Sequence, residues 1–267
     1  MKLGNKETKP ASAKPAVKKS GQKKLAGFWA KTYNLLFHED VYYRIGGYLL
    51  FGLALFLVTW ACFTFFLKKP NLVLNSFIVQ KFFKSETLKT IGPWGAQTFG
   101  ATWNLFGWKI QVAETFAVWG NVLLLTFKYF LNHLVFVFLF IFCLNLFKIG
   151  RWSFGLIYFG LYTILWGVAI GTNSMVFPVG NNPILGPLVL FARFGIWVWF
   201  SYLLIVVSTT QFAWLVAPNW LSWAWNKQRK IWPVSFSPDQ REVFIYGLLF
   251  LLASSFAEAR IFVHYNL

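Results

Sequence analysis

Charge is scarce in this 267-residue chain: 12% of the residues are Asp, Glu, Lys or Arg, and only eight are acidic. Soluble domains average about 25% charged residues. A chain this poor in charge cannot dress a water-facing surface of its length, which excludes an ordinary globular domain. Cysteine is rarer still. Cys62 and Cys143 are the whole supply, and they fall in opposite halves of two different predicted spans, which excludes a disulfide framework. The chain also lacks GxxxxGK[ST], GxSxG, HExxH and CxxC. Those absences remove the phosphate loop, the nucleophile elbow, the zincin helix and the dithiol pair. His38, His133 and His264 are too scattered to hold a metal. No catalytic residue, metal or cofactor beyond bound lipid is expected.

What is present is apolar. Hydrophobic residues make up 57% of the chain, with 32 Phe and 15 Trp, and the mean hydropathy is +0.55. This composition predicts an all-α, polytopic transmembrane helix bundle, with Trp and Tyr at the two interfaces. The first long run, Ile45 to Leu67, has 23 residues without a charge. It is long enough to cross a hydrocarbon core of roughly 30 Å and too long for the apolar region of a signal peptide. Four further spans are predicted: Leu131 to Phe147, Trp152 to Thr172, Leu188 to Val207 or somewhat beyond, and Val243 to Phe262. Residues 111–130 are either a sixth, partial membrane helix or an approach helix running into the second span.

The basic residues follow the same plan. Of the net charge of +17, a large part comes from nine lysines in the first 31 residues, set among Pro, Ala, Ser and Gly. Residues 1–40 therefore read as a disordered cytoplasmic tail that touches anionic lipid, and residues 41–267 as one membrane domain. Nucleic acid is not an expected partner, because the charge is not spread over a basic face with interleaved aromatics. With the N-terminus inside, sixteen of the 25 Lys and Arg residues fall on the cytoplasmic side, as the positive-inside rule requires. The connection Thr172 to Pro187 carries no charge and reads as external, and the C-terminus falls outside. An extracytoplasmic segment at about 70–125 is expected to lie on the bilayer surface. In it, NSFIVQKFFKSETLKTIG (Asn75 to Gly92) alternates apolar and basic residues like an interfacial amphipathic helix. FAWLVAPNWLSWAWNKQRK carries an inner-interface pattern of Trp and basic residues, and Pro218 is expected to break the fourth helix there.

Polar residues inside spans are costly and mark functional candidates. Here they are Asn132, His133, Asn145, Arg193, Glu258 and Arg260. Arg193 lies about 9 Å from the outer end of the fourth span at the helical rise, and Glu258 about one turn from the outer end of the fifth. A cross-helix pair between Glu258 and Arg193 is therefore expected. Arg260 would snorkel to the headgroups, and Asn132 and His133, at the outer start of the second span, would join the layer. The layer reads as a helix-docking clamp, as a site for ion or substrate passage, or as snorkelling alone. Gly160, Gly167 and Gly171 recur at seven and four residues and line one face of the third span, a stripe that admits a close helix neighbour within the chain or from another copy.

The order of elements and several local patterns resemble the stage II sporulation protein M family of bacterial and archaeal membrane proteins. FLNHLVFVFLFIFCL followed by KIGR is similar to that family's Asn-rich second span, with Asn132 and His133 where paired asparagines are usual. YFGLYTILWG is similar to a segment that usually carries Tyr-Asn-Gly, here without the Asn. In FGIWVWFSYLLIVVST, Gly195 and Ile196 match a His-Gly-Ile stretch, with Val198 in place of a glutamate, and SSFAEAR matches the closing helix at Glu258. The resemblance implies a non-enzymatic, multi-pass subunit in the plasma membrane of a prokaryote. Such a subunit would be a scaffold or structural component of a larger complex with other membrane proteins or with itself, or a permease-type subunit of a transporter. A pigment- or quinone-carrying subunit is a third reading of the aromatic excess.

Overall fold

The structure, a computed structural model, describes residues 30–67, 72, 102–105, 108–111, 114–174, 185–221, 224–228 and 235–266. The basic tail up to residue 29, the amphipathic stretch Asn75 to Gly92, most of the charge-free connection, and Arg229 and Lys230 lie outside the described residues.

The chain folds as an all-helical bundle. A short helix α1 (residues 30–36) precedes α2 (Val41–Ala61), which continues through a wide π-type turn, Cys62–Leu67. A two-stranded hairpin, β1 (Thr102–Leu105) and β2 (Trp108–Gln111), comes next. Helix α3 (Glu114–Phe136) then runs through a second π-type segment, Val137–Phe142, to Cys143–Asn145. Strands β3 (Phe147–Ile149) and β4 (Trp152–Ser153) turn the chain into α4 (Phe154–Gly171). Helix α5 (Leu185–Leu190), a third π-type turn (Phe191–Gly195) and α6 (Ile196–Thr209) follow, and a 3-10 turn, Thr210–Phe212, closes α6. Strands β5 (Leu215–Ala217) and β6 (Asn226–Lys227) lead to α7 (Pro238–Asn266).

Among the described residues, four helical stretches are long and apolar enough to cross a membrane: Val41–Leu67, Trp119–Asn145, Phe154–Gly171 and Pro238–Ile261. A fifth forms if Gly186–Arg193 and Ile196–Phe212, bent by 51° at their junction, count as one span. Large apolar side chains such as Leu57, Val58, Leu123, Phe127, Leu161, Leu165 and Leu249 face outward, a surface suited to lipid rather than to water.

Local sequence sets the helix ends. Asp40 caps α2, its Oδ1 accepting from the Tyr42 N–H at 2.7 Å. Ser153 caps α4 by accepting from Leu156 N–H at 3.1 Å. Helix α7 opens with a reciprocal capping box. The Ser237 N–H donates to Gln240 Oε1 at 3.1 Å, Gln240 N–H donates to Ser237 Oγ at 3.3 Å, and Pro238 takes the first helical position. At the far end of α4, Asn173 adopts φ 52° and Ser174 N–H returns to the Ala169 carbonyl at 2.7 Å, the left-handed stop that Asn tolerates better than most residues.

Helix α6 is the central post. It packs against α2, α3, α4 and α7, and every residue from Val198 to Thr210 except the half-buried Phe200 is buried. Burial on every face, rather than apolarity alone, sets α6 at the centre of the bundle. Its hydroxyls stay inside because they bond to their own backbone: Ser201 to the Trp197 carbonyl at 2.6 Å, Ser208 to Ile205 at 2.9 Å, Thr210 to Val207 at 3.0 Å. Gly52 of α2 allows the approach on one side, since a Cβ there would sit 2.5 Å from Trp199 Cζ2. The glycine stripe of α4 meets α2 within the chain. A Cβ on Gly167 would lie 2.8 Å from Thr59 Cβ and 3.1 Å from the Phe56 carbonyl oxygen, and one on Gly171 would lie 2.9 Å from the Trp60 carbonyl oxygen.

Two expectations change at this level. The second span starts earlier than Leu131, at Trp119, on a helix α3 that begins at Glu114; of the two readings open for residues 111–130, the helix that runs into the second span is the one seen from Glu114 onward. Pro218 does not end the fourth helix. Helix α6 stops at Thr209 and its 3-10 turn at Phe212, because the chain then enters strand β5. That strand belongs to a small sheet of order β4-β3-β5-β6 at the end of the bundle where α2 and α7 begin, with β3 and β5 parallel and the other pairs antiparallel. The sheet ties the exit of α3 to the exit of α6. Helix α7 extends to Asn266, but its membrane-length stretch ends at Ile261, which keeps Glu258 about one turn from the outer end of that span.

Candidate functional site

The polar side chains of the helices are spent on riveting α6 to its neighbours. At the sheet end, Asn145 is fully buried, and its Nδ2 donates to Thr209 Oγ1 at 2.6 Å and to the Val206 carbonyl at 3.2 Å. The same Thr209 hydroxyl donates to the Ile205 carbonyl at 2.6 Å. Arg44 of α2 repeats the pattern, with Nη1 donating to Thr210 Oγ1 at 3.0 Å. On the α4 side, Trp199 Nε1 donates to Thr163 Oγ1 at 2.8 Å while that hydroxyl donates to the Phe159 carbonyl at 2.8 Å. In each case one threonine satisfies its own helix and accepts from the next, leaving no free hydroxyl proton in an apolar interior.

The predicted charged layer resolves into one three-residue cluster. His133 Nε2 lies 3.5 Å from Glu258 Oε2, and His133 Nδ1 lies 2.9 Å from the Tyr202 hydroxyl. Helix direction explains why they meet. Side chains lean toward the start of their own helix, so His133 and Tyr202 lean one way and Glu258, on the antiparallel α7, leans back toward them. With its proton on Nε2 the ring donates to the carboxylate and accepts the Tyr202 O–H at Nδ1. Both partners of the pair are partly covered, with side-chain exposures of 20% for His133 and 24% for Glu258. Tyr162 packs against Tyr202 with ring centroids 5.0 Å apart, Tyr158 stacks on Tyr162 at 6.4 Å, and Phe140 stacks on Tyr158 at 5.6 Å. The rings extend the cluster as packing.

The other predicted members lie apart. Glu258 is met by His133, not by Arg193. Arg193 sits in the wide turn Phe191–Gly195 and is exposed. The bend between that turn and α6 changes which face of the fourth span its residues present, so a straight-helix estimate of depth does not carry over to pairing. Arg260 and Asn132 are exposed on the outside of α7 and α3. His133 is near the middle of the stretch Trp119–Asn145, not at its outer start. Gly160, Gly167 and Gly171 all face α2. Tyr202 was not singled out from the sequence, where one tyrosine among Phe and Trp carries no separate signal.

The cluster is a clamp between α3, α6 and α7. Glu258→Gln is expected to cost about 1–2 kcal/mol of stability in detergent. In a double-mutant cycle with His133→Leu the two changes should be non-additive by about 1 kcal/mol, while Glu258→Gln with Arg193→Gln should be additive. Coupling to Arg193 in place of His133 would reject the assignment. Compared with known proteins, the chain matches no family model, no curated protein and no solved structure.

Proposed function

We propose that this chain is a non-enzymatic, multi-pass membrane subunit that serves as a scaffold or structural component of a larger membrane complex. The observation that carries the reading is the closed packing around α6. From Ser201 to Thr209 every residue is buried, and the hydroxyls and cross-helix donors along that stretch are bonded within the packed interior; only Thr210 and its donor Arg44, at the sheet end, border a cavity. A bundle riveted in this way is built to hold a shape. The resemblance to the stage II sporulation protein M family supports the same class. We place the chain in the plasma membrane of a prokaryote with the sheet end cytoplasmic, because Arg44, Lys148, Arg151, Lys227 and Arg241 gather at that end and the basic tail would meet anionic lipid there.

Isolation of the tagged chain from its native membrane in mild detergent tests this function. A membrane protein at near-stoichiometric yield, or a homo-oligomer held by the same chain, is the expected result. A lone monomer that moves a solute when reconstituted would overturn it.

The second reading, a permease-type subunit, is favoured by polar groups at two levels, the His133–Tyr202–Glu258 cluster and a polar cavity at the sheet end. Between the two levels α6 presents Leu203, Leu204, Ile205, Val206 and Val207, each no more than 5% exposed. Transport would require that stretch to open.

A further inference from the structure

The cavity at the sheet end has a volume of about 240 Å3. It is walled by α1, α2, the β3–β4 turn and the start of β5, and three cationic side chains line it: Arg44, Lys148 and Arg151. Among the described residues, none that lines it is acidic. The nearby acids are otherwise placed. Asp40 caps α2 through its Oδ1, and the contact from Glu39 to Arg44 is made by its main-chain oxygen, 3.5 Å from Nη2.

Arg44 is the unusual member. It is 5% exposed, one of its nitrogens is held by Thr210, and its Nε has no hydrogen-bond partner. A buried guanidinium whose hydrogen bonds go only to neutral oxygens is costly, and the favourable field of Asp40, which makes no hydrogen bond to it, does not outweigh its desolvation. An anion in the cavity would offset that cost, and the planar fork of Arg suits the oxygens of a phosphate better than a point charge does. Arg151, on the exposed turn at the mouth, supplies a second cation from the solvent side. Trp214, Trp220 and Trp225 lie in the segment that follows α6 at the same end, and Lys227 Nζ sits 6.0 Å from the Trp214 ring. This is the aromatic and basic composition of a headgroup layer.

We infer that this cavity is a binding site for a phosphate ester, with Arg44 as the buried anchor and Lys148 and Arg151 as the cations that close over it. The phosphate belongs either to an anionic phospholipid headgroup or to a water-soluble phosphate ester, which present the same oxygens to the same side chains.

The test uses the full chain, delipidated in an uncharged detergent, with thermal unfolding as the readout. One arm titrates phosphatidylglycerol against a diacylglycerol of the same chains, and the other titrates glycerol 1-phosphate. The melting temperature should rise in at least one arm, with the lipid arm alone marking a headgroup and the soluble arm alone a free ester. Arg151→Gln should weaken the apparent affinity about tenfold. Arg44→Lys, which keeps the charge and removes the fork, should weaken it as well. Arg241→Gln removes one positive charge from an exposed position at the same end, outside the cavity, and should leave the affinity unchanged. No rise in either arm, or a rise of equal size and affinity in Arg151→Gln and Arg44→Lys, would overturn the assignment.

Discussion

Gly167→Leu should destabilise the bundle by about 3 kcal/mol or more, among the largest effects of any single change in the chain. The reason is the distance between α2 and α4. Even a Cβ at position 167 would stand 2.8 Å from Thr59 Cβ and 3.1 Å from the Phe56 carbonyl oxygen. The second of these is backbone, so α2 itself would have to move. A leucine adds three more carbons in the same direction. Helix association in lipid depends on close packing rather than on water exclusion, so forcing the two backbones apart removes what holds them. Thr59→Gly should restore part of the loss by removing the nearest atoms. Gly46→Ala in the same helix α2 meets nothing within 4 Å and should be neutral or slightly stabilising. Thermal unfolding in detergent reads all three variants. An unchanged melting temperature for Gly167→Leu would mean that α2 and α4 do not touch along this stripe.

Gly155→Ala should cost about 1–3 kcal/mol for a different reason. Its Cβ would collide with the carboxamide of Asn145, and that carboxamide cannot swing away without breaking its bonds to Thr209 and Val206. The two positions are therefore coupled. In an Asn145→Ala background, which carries its own cost for the lost bonds, the added cost of Gly155→Ala should fall close to zero. Equal cost in both backgrounds would show that the carboxamide is not what Gly155 makes room for.

The parts of the fold legible in sequence were those written as unbroken apolar length. Val41–Leu67, Phe154–Gly171 and Pro238–Ile261 sit where their hydropathy put them, within a few residues. The glycine stripe announced a close contact, and the structure supplies its partner, α2. The first half of α3 was ambiguous because Glu114 and Lys128 break the run. Hydropathy registers those charges, whereas helix continuity depends on backbone bonds they do not interrupt. The small sheet was not legible at all. Strands of two or three residues such as Trp152–Ser153 and Asn226–Lys227 are too short for a two-residue period to appear. The ionic partner of Glu258 was misassigned because depth fixes only one coordinate. Which way a residue points around its helix depends on bends such as the 51° break after Arg193, and no local pattern encodes that. His133 entered the predicted layer only as a bystander, and Tyr202 did not enter it.

These findings bear on function through one question, whether water reaches the middle of α6. The two polar levels of the bundle are separated by Leu203–Val207, and a scaffold needs that stretch sealed while a permease needs it to open.

The most direct measurement is thiol accessibility in native membranes. Cys62 and Cys143 would first be replaced by serine, and single cysteines placed at Ser201, Leu204 and Ser208. Reference cysteines at Asn181, in the charge-free connection, and at Lys227, on the sheet end, mark the two surfaces. With a small, impermeant thiol reagent, Asn181→Cys is expected to react in intact cells and Lys227→Cys only after the membrane is opened. The three positions on α6 should react in neither condition. Labelling at any of the three, or labelling of the two references from the same side, would contradict a sealed post threaded through a membrane bundle.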